Sequence, residues 1–157
     1  MAFLPLVQSV LGAAEWDGET QVCSLDYDAR FVRRKTLVTD SGTRFLVDLA
    51  ETTSLSDGDI LPLSNETCVK IKAAPEPVLR VTGANLPQLS WHIGNRHTPC
   101  QIMPDALIIR DDPVIGHMLE HLGAALVKQM QPFTPEGGAY GLGRTHSHEH
   151  GKTAHDH

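Results

Sequence analysis

The chain changes its periodicity once, near residue 75, and that change limits what it can fold into. Before it, no helical period appears. Short β-prone runs alternate with turn signals: "QVCSLDYD", "KTLVTDSGTRFLVDL", "DGDILPL" and "ETCVKIKA". "TDSGTR" separates two of these runs, so Lys35–Thr39 and Arg44–Leu49 are expected to form a hairpin. "SDGD" at 56–59 marks another turn. After the change, strand-like and helix-like segments alternate.

The junction "AAPEPVL" (73–79) carries two prolines and reads as a linker. "VLRVT" (78–82) and "DALIIRD" (105–111) read as strands. "ANLPQLSWHIGN" (84–95) reads as a helix, with Asn85 as N-cap and Pro87 in the first turn. "DPVIGHMLEHLGAALVKQM" (112–130) is the clearest helix, with Asp112 as cap and Pro113 at its first position. Its apolar stripe is Val114, Ile115, Met118, Leu119, Leu122, Ala125 and Leu126. A short strand after each helix would complete a β-α-β-β-α-β, ferredoxin-like order. The expected fold class is therefore α+β. A β-rich domain spans 1–74, a ferredoxin-like domain spans 75–141, and a disordered His-rich tail spans 142–157.

A length of 157 residues suits one domain or two small ones, and 41% hydrophobic residues are enough for a core. The net charge of −6 argues against nucleic acid as a partner. The basic run Arg30, Arg33, Arg34 and Lys35 reads first as a solvated strand face. Three cysteines, far apart and without a CxxC, exclude a disulfide framework and point to a reducing, cytoplasmic setting. The apolar start "MAFLPLVQSVLGAAEW" has no Lys or Arg before Arg30, so it reads as a first strand rather than a signal peptide. No apolar run approaches the ~20 residues of a membrane span, and no membrane partner is expected.

Three places hold residues suited to chemistry. "HMLEH" puts His117 and His121 on one helix face, with Glu120 between them in sequence. As an inverted zinc-protease motif it would make Glu120 the general base of a small zinc hydrolase. Half-exposed packing beside an apolar stripe is the plainer reading. "WHIGNRHTPCQI" (91–102) gathers Trp91, His92, His97 and Cys100, and His97 and Cys100 have H-x-x-C spacing. Imidazole suits nickel, copper and zinc, whereas a lone Cys is more often a small buried hydrophobe. The third place is the C-terminus, "RTHSHEHGKTAHDH", which holds five of the nine histidines. His146, His148 and His150 are spaced H-x-H-x-H, and His155 and His157 follow. Neutral imidazoles two apart can close on one ion. Interruption by Ser147, Glu149 and five further non-His residues distinguishes the segment from an engineered tag.

In their order along the chain, "WHIGNRHTPCQI", "RDDPVIGHMLEHLG", "PFTPEGGAYG" and the His-rich end resemble the UreE family of urease accessory proteins, which are nickel metallochaperones. The likeness is strongest from Gly94 to Gly141. It implies a homodimer joined through ferredoxin-like domains, and an N-terminal domain similar to a chaperone peptide-binding module. It puts the family's shared nickel ligand on His97, one copy from each chain of the dimer. Tail histidines, His146 and His148 first and then His150, would complete the shell. Zn²⁺ and Cu²⁺ are further candidate ions. The implied activity is delivery of Ni²⁺ for assembly of the urease active site, without catalysis. The implied partners are the urease GTPase accessory protein and the urease apoprotein–accessory complex. The sequence departs from the family at "IIRDDP". Some members carry an H-x-H there, where this chain has Arg110, Asp111 and Asp112. A peptide-binding module without a metal role is the remaining alternative.

Overall fold

The computed structural model describes residues 3–137. The chain divides between Ala74 and Pro75 into two compact units.

The first unit holds six strands: β1 (Leu6–Val7), β2 (Gln21–Leu25), β3 (Phe31–Val38), β4 (Arg44–Ser54), β5 (Ile60–Pro62) and β6 (Cys68–Ala73). They form two three-stranded sheets, ordered β1-β4-β3 and β2-β6-β5. The expected hairpin is β3–β4, with Val38 opposite Arg44 and Lys35 opposite Val47. Gly42, at φ 99°, takes its turn through a conformation that side chains rarely adopt. Phe45, Val47 and Leu49 of β4 alternate inward and share one core with Cys23, Val69 and Ile71 of the other sheet. Side chains buried this fully contribute roughly 1.5–3 kcal/mol each.

One residue of the basic run is not on a solvated face. Arg30 is 3% exposed. Its Nε donates to the Leu55 carbonyl at 3.2 Å, and its Nη1 donates to the Leu25 carbonyl at 2.9 Å. Arg34 pairs with Asp48 at 2.8 Å. The cluster is thus at least partly structural.

The second unit runs β7 (Pro75–Thr82), α1 (Leu86–Asn95), β8 (Gln101–Ile102), β9 (Leu107–Arg110), α2 (Pro113–His121) and β10 (Ala125–Pro132). Its sheet is ordered β10-β7-β9-β8 with every pair antiparallel, which is the ferredoxin-like arrangement. Leu89 and Ile93 of α1, and Ile115 and Leu119 of α2, cover Leu79, Val81, Leu107 and Ile109 of the sheet. Gly116 lets α2 lie close. A Cβ there would stand 3.2 Å from Cδ1 of both Leu79 and Leu126.

Two expectations are corrected here. The stretch 73–79 is not a linker, because Pro75–Thr82 is one strand. Pro75 and Pro77 are tolerated because β9 pairing begins only at Val78. The Pro77 carbonyl accepts from the Asp111 N–H, so Pro77 lacks its own N–H on the side where no ladder has started. The second helix does not reach residue 130. It ends at His121, Gly123 turns the chain at φ 88°, and Ala125–Pro132 pairs with β7. Eight residues of sheet pairing outweigh the helical apolar period that continues through Leu122, Ala125 and Leu126.

Candidate metal centre

His97 sits just beyond α1, and the helix fixes its backbone. Asn85 caps the start: its side-chain oxygen accepts from the Gln88 N–H at 3.1 Å. Leu89 and Ile93 tie the helix to the core. At the other end, His97 N–H donates to the Gly94 carbonyl at 2.9 Å, and Thr98 N–H donates to the Ile93 carbonyl at 3.3 Å. These two bonds are a Schellman closure, with His97 in the left-handed place usually given to glycine. Its φ is 56°. For a residue with a Cβ that conformation costs on the order of 1 kcal/mol. The imidazole is exposed, on a backbone that the helix end and Pro99 leave little freedom.

The segment after β10 returns to the same place. Glu136 N–H donates to the Cys100 carbonyl at 2.9 Å, and Thr134 N–H donates to Gln101 Oε1 at 2.9 Å. Phe133 anchors it, fully buried. The stretch leading to the His-rich end is therefore bonded to a residue three positions from His97. His146, His148 and His150 lie outside the described residues, as do His155, His157 and the expected disordered tail. His146 follows Gly137 by nine residues. Such a length spans at most ~30 Å.

Cys100 is half-buried against the core of this unit. Burial, and then the nearby Glu136 charge, push its thiol up from 9.0 to about 11, despite a backbone hydrogen bond from Ile108. A thiol held neutral is a poor ligand. Burial thus disfavours the thiolate form that an H-x-x-C metal pair would use.

His117 and His121 are exposed on α2, with their Nε2 atoms 3.1 Å apart. Among the described residues, no group of three or more His, Cys, Asp or Glu side chains converges. The hydrolase arrangement therefore has no third ligand there. In "IIRDDP", Asp112 caps α2 by accepting from Val114 and Ile115 N–H at 2.9 and 3.1 Å, and Asp111 lies 3.8 Å from Lys128. Asp112 thus serves the helix start, and Asp111 lies within ion-pair range of an exposed lysine. The left-handed backbone of His97 was not read from sequence. Pro99, two residues beyond it, is the signal of a helix stop that could have suggested it.

By its fold, the chain is a two-part α+β protein, a strand-rich unit followed by a ferredoxin-like unit with one imidazole on a pinned turn. The UreE urease accessory protein C-terminal domain matches residues 76–157, and the N-terminal domain of the same family matches residues 7–74. The urease accessory protein UreE of Rhodobacter capsulatus is 51% identical over 151 residues, 96% of each chain. That of Cereibacter sphaeroides is 52% identical over 152 residues, 96% of this chain and 83% of its own. That of Ruegeria sp. is 60% identical over 122 residues, 78% of this chain and 69% of its own. The chain belongs to the UreE family of urease accessory proteins. Among its described residues, no helix is long and apolar enough to cross a membrane.

Proposed function

We propose that this protein is a cytoplasmic nickel carrier that delivers Ni²⁺ during assembly of the urease active site, without catalysing a reaction. The observation that carries the reading is the hydrogen bond from Glu136 N–H to the Cys100 carbonyl. It ties the stretch that precedes the His-rich segment in sequence to a residue three positions from His97.

His97 from each chain of a homodimer supplies two ligands to one ion, since a residue near a two-fold axis meets its own copy. His146, His148 and His150 fill open positions. Large apolar side chains lie exposed on both sides of His97 in the chain: Trp91 (63%) on α1, and Ile102 (55%) and Met103 at β8. A second copy of the chain would cover them. Sparse ligation by neutral imidazoles suits an ion that must be released, and it admits Zn²⁺ and Cu²⁺ as well. The partners are the urease GTPase accessory protein and the urease apoprotein–accessory complex.

Calorimetric nickel titration tests this on the intact protein, on His97→Ala and on a chain lacking 144–157. His97→Ala removes the tightest site, and the deletion lowers the ions held per dimer. An unchanged tightest site in His97→Ala would falsify the assignment.

A further inference from the structure

We propose that His117 and His121 form a second metal site, a two-imidazole chelate for a divalent first-row cation that operates without His97. The two rings are four residues apart on α2, so the helix itself sets their spacing. Their Nε2 atoms lie 3.1 Å apart with the ring planes at 89°. An ion bound at 2.0–2.1 Å from each nitrogen would see them at an angle of about 100°. That lies between the octahedral and tetrahedral values, so the separation of the two nitrogens suits one shared ion, with the rings tilting from their mutual hydrogen bond toward it.

The platform is rigid. Asp112 caps the start of α2, Leu119 is fully buried, and Gly116 packs directly on Leu79 and Leu126. The end is closed by Gly123 N–H to the Glu120 carbonyl and Ala124 N–H to the Leu119 carbonyl, both at 3.0 Å. A chelate held by a fixed backbone loses little entropy on binding. Both rings are exposed, so water fills the remaining positions and the ion exchanges readily.

Without an ion, one Nε2–H donates to the other ring's Nε2. On binding, that ring carries its proton at Nδ1 instead, and both Nε2 lone pairs face the cation. Between neutral rings no net proton is released. Affinity follows the general divalent order, with Cu²⁺ above Ni²⁺. Nothing in the nickel-carrier reading requires this site.

The test follows the histidine ring signals of ¹⁵N-labelled full-length protein during titration with nickel chloride, whose paramagnetic ion broadens its ligands. In His97→Ala, where the proposed carrier site at the end of α1 is removed, His117 and His121 are expected to broaden together, at less nickel than the solitary ring of His92. In wild type the two rings broaden at the same free nickel concentration as in His97→Ala. In His117→Ala, broadening of His121 needs about tenfold more nickel, because the chelate's effective concentration is gone. Broadening of His117 and His121 in His97→Ala no earlier than His92, or its absence there, overturns the proposal. In wild type, His117 and His121 broadening at clearly different nickel concentrations overturns it as well, so the proposal is tested even should a variant fold poorly.

Discussion

His97 and Gly123 hold the same position at the ends of the two helices of the second unit. Each is the first residue past the helix cap, each has positive φ (56° and 88°), and each donates its N–H to the carbonyl three residues back. The following residue, Thr98 or Ala124, closes the outer bond in both cases. One helix stop uses the residue best suited to the conformation. The other spends that advantage on an imidazole.

The pair makes a matched prediction. At Gly123 nothing lies within 4 Å of an added Cβ, so Gly123→Ala meets only the conformational cost of the left-handed region. It should destabilise by about 1–2 kcal/mol. His97→Gly should stabilise by about 0.5–1 kcal/mol while removing the proposed nickel ligand. Urea unfolding without metal checks both. A His97→Gly protein clearly weaker than wild type would show that the imidazole, not the backbone, sets the energy of that turn.

Much of this geometry was legible in the residues, and the gaps have physical causes. Asn85 and Asp112 announced their helices because a capping side chain acts locally, within three residues. The β3–β4 hairpin was legible for the same reason. The end of α2 was not, because Leu122, Ala125 and Leu126 continue an apolar helical period while pairing with β7 is non-local. Pro75 and Pro77 read as a linker because a sequence does not say which side of a strand lacks a partner. "GNRH" locates His97 yet says nothing of its φ. The contact between Glu136 and Cys100 joins segments too far apart for any motif to reveal.

Cys100 should behave as a half-buried, protonated thiol and not as a ligand. Its folded pKa is raised from 9.0 to about 11, so the folded state holds the proton more tightly than the unfolded one. The sign follows directly: this contribution to stability is complete below about pH 9 and is lost as pH climbs toward about 11. Alkylation of Cys100 by iodoacetamide should still rise about tenfold per pH unit between pH 9 and 10, in step with the thiolate fraction. A rate that has levelled by pH 9 contradicts the burial effect. Cys100→Ser should leave nickel capacity unchanged in a calorimetric titration.

Arg30 is held by the interior of the first unit, so it should matter to folding rather than to recognition. Arg30→Met fills similar volume but leaves the Leu25 and Leu55 carbonyls without its donors. A cost of about 1–3 kcal/mol follows from desolvated acceptors losing their bonds. Arg33→Ala, on an exposed position of the same run, should stay within about 0.5 kcal/mol. Comparing urea midpoints of the two variants separates the readings, and equal effects would mean that the buried bonds contribute nothing measurable.

Nickel should stabilise the protein through His97, and the helix-end energetics make this measurable by difference. An ion that binds the folded chain alone adds about 2.7 kcal/mol to stability at a free concentration one hundred times its dissociation constant. EDTA should abolish that gain. In His97→Gly the order of stabilities inverts: the variant is the more stable protein without metal and the less stable one with it. The two chains share the same eight other histidines, so any nickel taken up by their unfolded states cancels in the comparison. Thermal unfolding at fixed protein concentration, with and without nickel, gives all four values. If both chains gain equally from nickel, the ion is held elsewhere and His97 is only a strained helix stop.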